Sequence, residues 1–298
     1  MKSILDVLLT AIAPVIWGST YLVTTQLLPD GYPLTVALLR ALPAGIILLA
    51  LSRQLPQGRW WLKVFILGAL NFSVFWWLLF VAAYRLPGGV AATVIAVQPL
   101  FVLLLARLIL TSKIRPLSIV AAILGMAGVA IVILTPQAKL DGIGITAALC
   151  SALSMAAGTV LSRRWRPPVS LTTFTAWQLT AGGILLLPAA FWLEPALPAL
   201  TLNNLLGFTY LSLIGAALTY LFWFRGIARL GPPGVAPLVF LSPMTAIVLG
   251  WLFLAQHLSA VQVAGALVVF TSIWLSQRVT LATAADSRLS NGRKGTSG

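Results

Sequence analysis

The side chains able to do chemistry in this sequence are few, and they suit binding better than bond-breaking. Arg40 is the one strong charge inside an apolar stretch, about seven residues, or ~10 Å at 1.5 Å per residue, from that stretch's end. A guanidinium at that depth suits a carboxylate, or else it snorkels and bonds backbone carbonyls at a helix break. Gln98-Pro99 and Ser242-Pro243 repeat a polar residue before a proline. Each proline removes a backbone donor and frees the carbonyl four residues earlier, at Ile95 and Val239. Such carbonyls are tolerated in a membrane where they line a cavity, and suit an ammonium group. The alternative is a plain packing kink. Asn71 and Phe75 share one face by helical spacing, with Trp76 beside them. Trp17 and Tyr21 are four apart on another face, and Trp177 and Tyr220 sit at comparable depth. Aromatic walls hold flat or cationic solutes by stacking and cation–π contact worth ~0.5–2 kcal/mol each.

Catalysis is disfavoured by the inventory. The acids Asp6, Asp30, Asp141, Glu194 and Asp286 fall at ends of apolar segments, in connections or in the tail. One Cys and one His leave nothing to converge on a metal or a nucleophile, and GxSxG and HExxH are absent. No enzyme activity, metal or cofactor is expected. A buried titrating acid at mid-depth is also missing, so facilitated, gradient-driven movement, or a coupling mechanism without a buried acid, is expected.

The elements that position these residues follow from composition. Hydrophobic residues make up 60% of the chain and charged ones 8%, against roughly a quarter in soluble domains. Apolar blocks of about 20 residues recur, and only helices satisfy their own backbone in lipid without closing a barrel. The pattern predicts ten transmembrane helices: 5–28, 34–51, 62–83, 88–110, 116–134, 142–161, 171–193, 203–224, 234–254 and 260–277. The first is too long for a signal-peptide core. A polar, basic tail over 278–298 is expected to be disordered. The net charge of +14 is distributed over connections and tail rather than along a basic stripe, which excludes a nucleic-acid reading. With the N-terminus inside, nearly all of the 19 Lys and Arg residues gather on one face and only Arg85 and Lys139 on the other. Both termini are therefore expected in the cytoplasm.

The chain also repeats. Phe80, Arg85 and Leu86 recur as Phe224, Arg229 and Leu230, and Pro99 recurs as Pro243, 144 positions later. Gly18-Ser19 is matched by Gly158-Thr159, and Ala44-Gly45 by Ala181-Gly182. Two five-helix units, 5–134 and 142–277, follow. Five is odd, so the second unit crosses in the opposite sense, giving an all-α membrane protein of two inverted repeats around a central cavity. Inverted repeats typify secondary transporters that bind solute near the midplane. A monomer enclosing its own cavity in the lipid bilayer, with a small-molecule substrate, is expected.

Trp17-Gly18-Ser19-Thr20-Tyr21, Pro33-Leu34, Leu39-Arg40-Ala41, Pro99-Leu100-Phe101 and Pro243-Met244 together resemble the EamA-type drug/metabolite transporters. The resemblance covers about residues 5–277 and implies ten spans, cytoplasmic termini, a central cavity and a cell inner membrane location. With 11 Trp, the chain looks most like the YddG-type exporters of aromatic amino acids. Aromatic amino acids and flat aromatic cations are thus the expected solutes, with another metabolite class (other amino acids, organic acids or sugars) as the alternative. Members of this family often end spans four and nine with a glutamate. Here Leu110-Thr111 and Ala255-Gln256 stand instead, so no role rests on that acid.

Overall fold

The structure is a computed structural model that describes residues 2–86, 94–133, 141–254 and 259–294. Tracts of Leu, Ala, Val and Ile fold into helices whose ends are written in the sequence. Helix α1 is Lys2–Leu27 and α2 is Pro33–Ser52. Helix α3 runs Trp60–Gly68, passes a π-helical turn at Ala69–Ser73 and continues over Val74–Arg85. Then come α4 (Gln98–Leu110), α5 (Pro116–Ile133), α6 (Gly142–Arg164) and α7 (Leu171–Leu193). Helix α8 runs Leu202–Ser212, a π-turn at Leu213–Leu218 and Thr219–Leu230. Helix α9 joins Pro232–Val235, a 3-10 segment Ala236–Phe240 and Leu241–Phe253, and α10 is Ala260–Lys294.

Helix starts carry their own acceptors. Asp141 caps α6 through Gly144 N at 2.6 Å, Ser170 caps α7, and Thr201 with Asn204 forms a capping box on α8. The start of α2 takes its cap from far away in sequence: Glu194, just past α7, accepts from Leu34 N at 2.6 Å and Thr35 N at 2.7 Å. Helices α2 and α4 stop at Arg53 and Thr111, both left-handed at φ 51° and 55°.

Eight helices among the described residues are long and apolar enough to cross a membrane; Gln98–Leu110 and the stretch 116–131 are shorter apolar helices. The proposed first half of span four, over 88–93, lies outside the described residues. Helix α10 runs on past residue 278 to Lys294. Leu281-Ala282-Thr283-Ala284-Ala285 is strong helix-forming sequence, and neither Gly nor Pro interrupts it before Gly292.

The packing links helices distant in sequence. Helix α1 packs on α8 and α9, while its counterpart α6 packs on α3 and α4. The remaining counterparts pair directly, α2 with α7 and α5 with α10. The two π-turns start at positions 69 and 213, the same 144-residue spacing that relates the sequence halves. Contact surfaces are built from small residues. Ala37, Ala41, Ala44 and Ala176 are buried, and a Cβ at Gly45 would strike the Thr180 backbone. In a bilayer such residues let helix backbones touch, since lipid supplies no hydrophobic drive between helices. Large apolar side chains such as Leu104, Leu108, Trp251, Phe253 and Phe270 point outward, where lipid is the solvent.

Candidate substrate-binding site

The centre of the structure is an aromatic column ending on Arg40. Phe174 lies 6.0 Å from Phe224, Phe224 lies 5.8 Å from Tyr220, and Tyr220 lies 4.6 Å from Phe72 by ring centroids. Phe72 is 5.4 Å from Trp76, and the Arg40 guanidinium sits 5.3 Å over the Trp76 ring. Trp17 flanks the column at 5.0 Å from Tyr220 and 5.1 Å from Trp223. These side chains come from α1, α2, α3, α7 and α8, so both halves build the column.

The π-turns fix its polar parts. A π-turn widens the helix by one residue and releases a carbonyl from the regular ladder. In α8 the Gly215 carbonyl accepts from Arg40 Nη2 at 2.8 Å and from Thr219 Oγ1 at 2.9 Å. Thr219 Oγ1 in turn accepts from Trp17 Nε1 at 2.9 Å, which aims the indole at the column. Arg40 Nε is buried and unpartnered. In α3 the matching π-turn presents Asn71, whose Nδ2 donates to Gln178 Oε1 at 2.9 Å and Ser162 Oγ at 3.3 Å. The two turns thus bind α2 by a cation in one half and α7 by neutral amides in the other. Gly158 leaves the space Asn71 occupies, as Gly18 lets α1 meet the Ser242 carbonyl.

Trp17, Arg40, Trp76 and Tyr220 lie together in the structure. Asn71 is buried but engaged with α6 and α7, and Phe75 is packed against the core. Trp177 stands apart from the column. It donates to the Gln54 carbonyl at 2.6 Å and lines a 940 Å³ cavity with Arg53, Trp60, Pro167 and Thr173. Its position near the start of α7 places it at the connection between α2 and α3, so its indole tip finds a loop carbonyl. Gln98 is buried with Nε2 unpartnered, and Ser242 is half-buried. The Tyr21 side chain lies outside the described residues. Pro99 differs from the expected mid-helix kink. It stands in the first turn of α4, where a missing N–H costs nothing, and Pro243 follows the 3-10 segment of α9. Both prolines thus mark a helical discontinuity on their N-terminal side. The cavities of 940 and 280 Å³ are lined by neither Arg40 nor Tyr220 and adjoin at Pro167 and Val169. They open at the arginine-rich end rather than at mid-depth.

The EamA-like transporter family matches residues 4–134 and 142–277. The chain belongs to that family. It is 46% identical to Protein PecM of Dickeya dadantii (strain 3937) over 271 residues, covering 90% of this chain and 91% of that one. It is 31% identical to the uncharacterized inner membrane transporter YedA of Escherichia coli (strain K12), over 79% of this chain and 78% of that one. A crystal structure with 18% sequence identity superposes at a TM-score of 0.79 over 92% of this chain and 98% of the other, which shows a shared fold.

For this EamA-family chain, the sequence did not single out Phe72, Phe174, Gln178 or Trp223 as site residues, and it marked Thr219 only as part of a polar and small face of span eight. Phe72 and Trp223 were lost among many apolar aromatics. Gln178 carried a usable signal, since an amide deep in a span needs a partner on another helix.

Proposed function

We propose that the chain is a secondary transporter, an exporter or facilitator, of flat aromatic solutes of the aromatic amino-acid type, working by alternating access. The observation that carries this reading is Arg40 laid over Trp76 with one nitrogen on the Gly215 carbonyl and Nε free. A carboxylate arriving beside Trp76 replaces the carbonyl at the guanidinium, while its ring stacks along Phe72 and Tyr220. Gly215 keeps its bond from Thr219, so the exchange leaves no orphaned acceptor. An aromatic cation meets repulsion at the same place and is the weaker candidate. The matched π-turns, sited where α2 and α7 cross α8 and α3, are the natural points for the two halves to shift against each other.

In this reading the halves are inverted in the membrane, the termini are cytoplasmic, the site is an inner membrane and one chain suffices. Asp6, Asp141 and Glu194 sit at helix ends on Arg225, Gly144 N and the α2 start, which supports gradient-driven flux without a buried acid. The test is counterflow of labelled phenylalanine and tryptophan in liposomes. Saturable exchange, competed by aromatic but not by aliphatic amino acids and insensitive to an imposed pH gradient, is expected. Equal competition by sugars or aliphatic acids, or uphill accumulation following the proton gradient, would overturn it.

A further inference from the structure

The second cavity, 280 Å³, lies where the end of α6, the start of α7 and the last turns of α8 meet. Its wall carries Arg163, Arg166, Arg225 and Arg229, and its floor carries Phe174 and Phe224. Positive charge at this end of a helix bundle follows from topology alone. Topology does not require the arginines to surround a hollow floored by two phenylalanines. Nor does it balance their charge. Asp6 takes Arg225 Nη2 at 2.6 Å, and Arg163 donates to the Ala228 carbonyl. Arg225 Nη1 is buried without a partner, and Arg166 and Arg229 are exposed at the rim.

The floor is also the first rung of the aromatic column. Phe174 and Phe224 lie 6.0 Å apart, and Phe224 leads to Tyr220 at 5.8 Å. A ring resting here is one step from the rings that lead to Arg40.

We infer that this mouth is a binding site for amphipathic aromatic anions: a flat ring against Phe174 and Phe224, and an acid group on Arg225 Nη1 and the rim arginines. The site orders solutes by net charge, anion above zwitterion above cation, because an ammonium beside the acid group faces the same arginines. Binding at the mouth stands by itself; only the onward step to Arg40 rests on the transport reading.

The matched probes are labelled 3-phenylpropanoate, phenylalanine and 2-phenylethylamine, which share a ring and differ in charge. They are titrated against the full chain in phosphatidylcholine nanodiscs. The expected order of affinity is 3-phenylpropanoate, phenylalanine, 2-phenylethylamine. The double variant R166Q/R229Q weakens 3-phenylpropanoate about tenfold with an unchanged melting temperature. Phe224→Leu weakens it too, and inorganic phosphate competes poorly because it lacks the ring. Wild-type affinity in R166Q/R229Q, or phosphate competing as well as the aromatic acid, overturns the inference. Phosphatidylglycerol in the disc abolishing the binding would overturn it in favour of a lipid headgroup. Arginine-dependent binding without flux supports the mouth and counts against the transport reading alone; flux with arginine-independent binding counts against the mouth alone.

Discussion

Replacing Arg40 by Met separates a structural cation from a functional one. The residue is buried to 9% exposure, so three terms decide its contribution to stability. The hydrogen bond to the Gly215 carbonyl is worth about 1.5–3 kcal/mol for a charged donor. The contact over Trp76 adds up to about 2 kcal/mol. Against these stands the cost of desolvating a guanidinium, several kcal/mol after relaxation, with Nε unpartnered. The terms nearly cancel. Two features favour a neutral result: Thr219 Oγ1 still donates to Gly215 at 2.9 Å, and the Met thioether packs on Trp76. R40M is expected to melt within a few degrees of wild type. Binding of a carboxylate solute, by contrast, loses a fork of donors worth about 3 kcal/mol, roughly a hundredfold in affinity. The assay pairs scanning fluorimetry with saturable phenylalanine counterflow. Arg40→Lys keeps the charge without the planar fork and should recover only part of the flux. Wild-type flux in R40M, or a large fall in melting temperature that R40K repairs along with flux, would refute the reasoning and make Arg40 a structural clamp.

Further outcomes follow from single contacts. Thr219→Val strips the acceptor from Trp17 Nε1 and should cost about 1–3 kcal/mol, seen as a lower melting temperature that Thr219→Ser restores. Glu194→Ala removes a bidentate cap on α2 and should cost about 0.5–2 kcal/mol, with faster hydrogen exchange confined to the first turn of that helix. Gly45→Leu forces a side chain against the Thr180 backbone and should separate α2 from α7, lowering yield of folded protein, whereas Ile46→Leu on the lipid face should change nothing measurable.

Much of the architecture was legible in the chain. Long apolar blocks dictated helices, because lipid offers the backbone no partners, and matched Gly, Pro and Leu positions disclosed two related halves. In the structure α1 packs on α8 and α9 and α6 on α3 and α4, and the two π-turns start 144 residues apart. Arg40 was legible as the charge set deepest in a predicted span.

The amino-acid order by itself determined which segments are apolar enough to enter the membrane, which helix starts carry a local cap, and which few polar groups need an explanation. These are local matters of hydropathy, capping and turn chemistry. Only the tertiary structure decided who answers whom: Arg40 with Gly215 and Trp76, Asn71 with Gln178, Glu194 with the start of α2. It also sent Trp177 to a loop carbonyl and drew four arginines from two helices and a connection around one hollow. A guanidinium, an amide or an indole can pair with many groups in a chain this long. The choice is made by which backbones come close enough, and that depends on packing between helices distant in sequence.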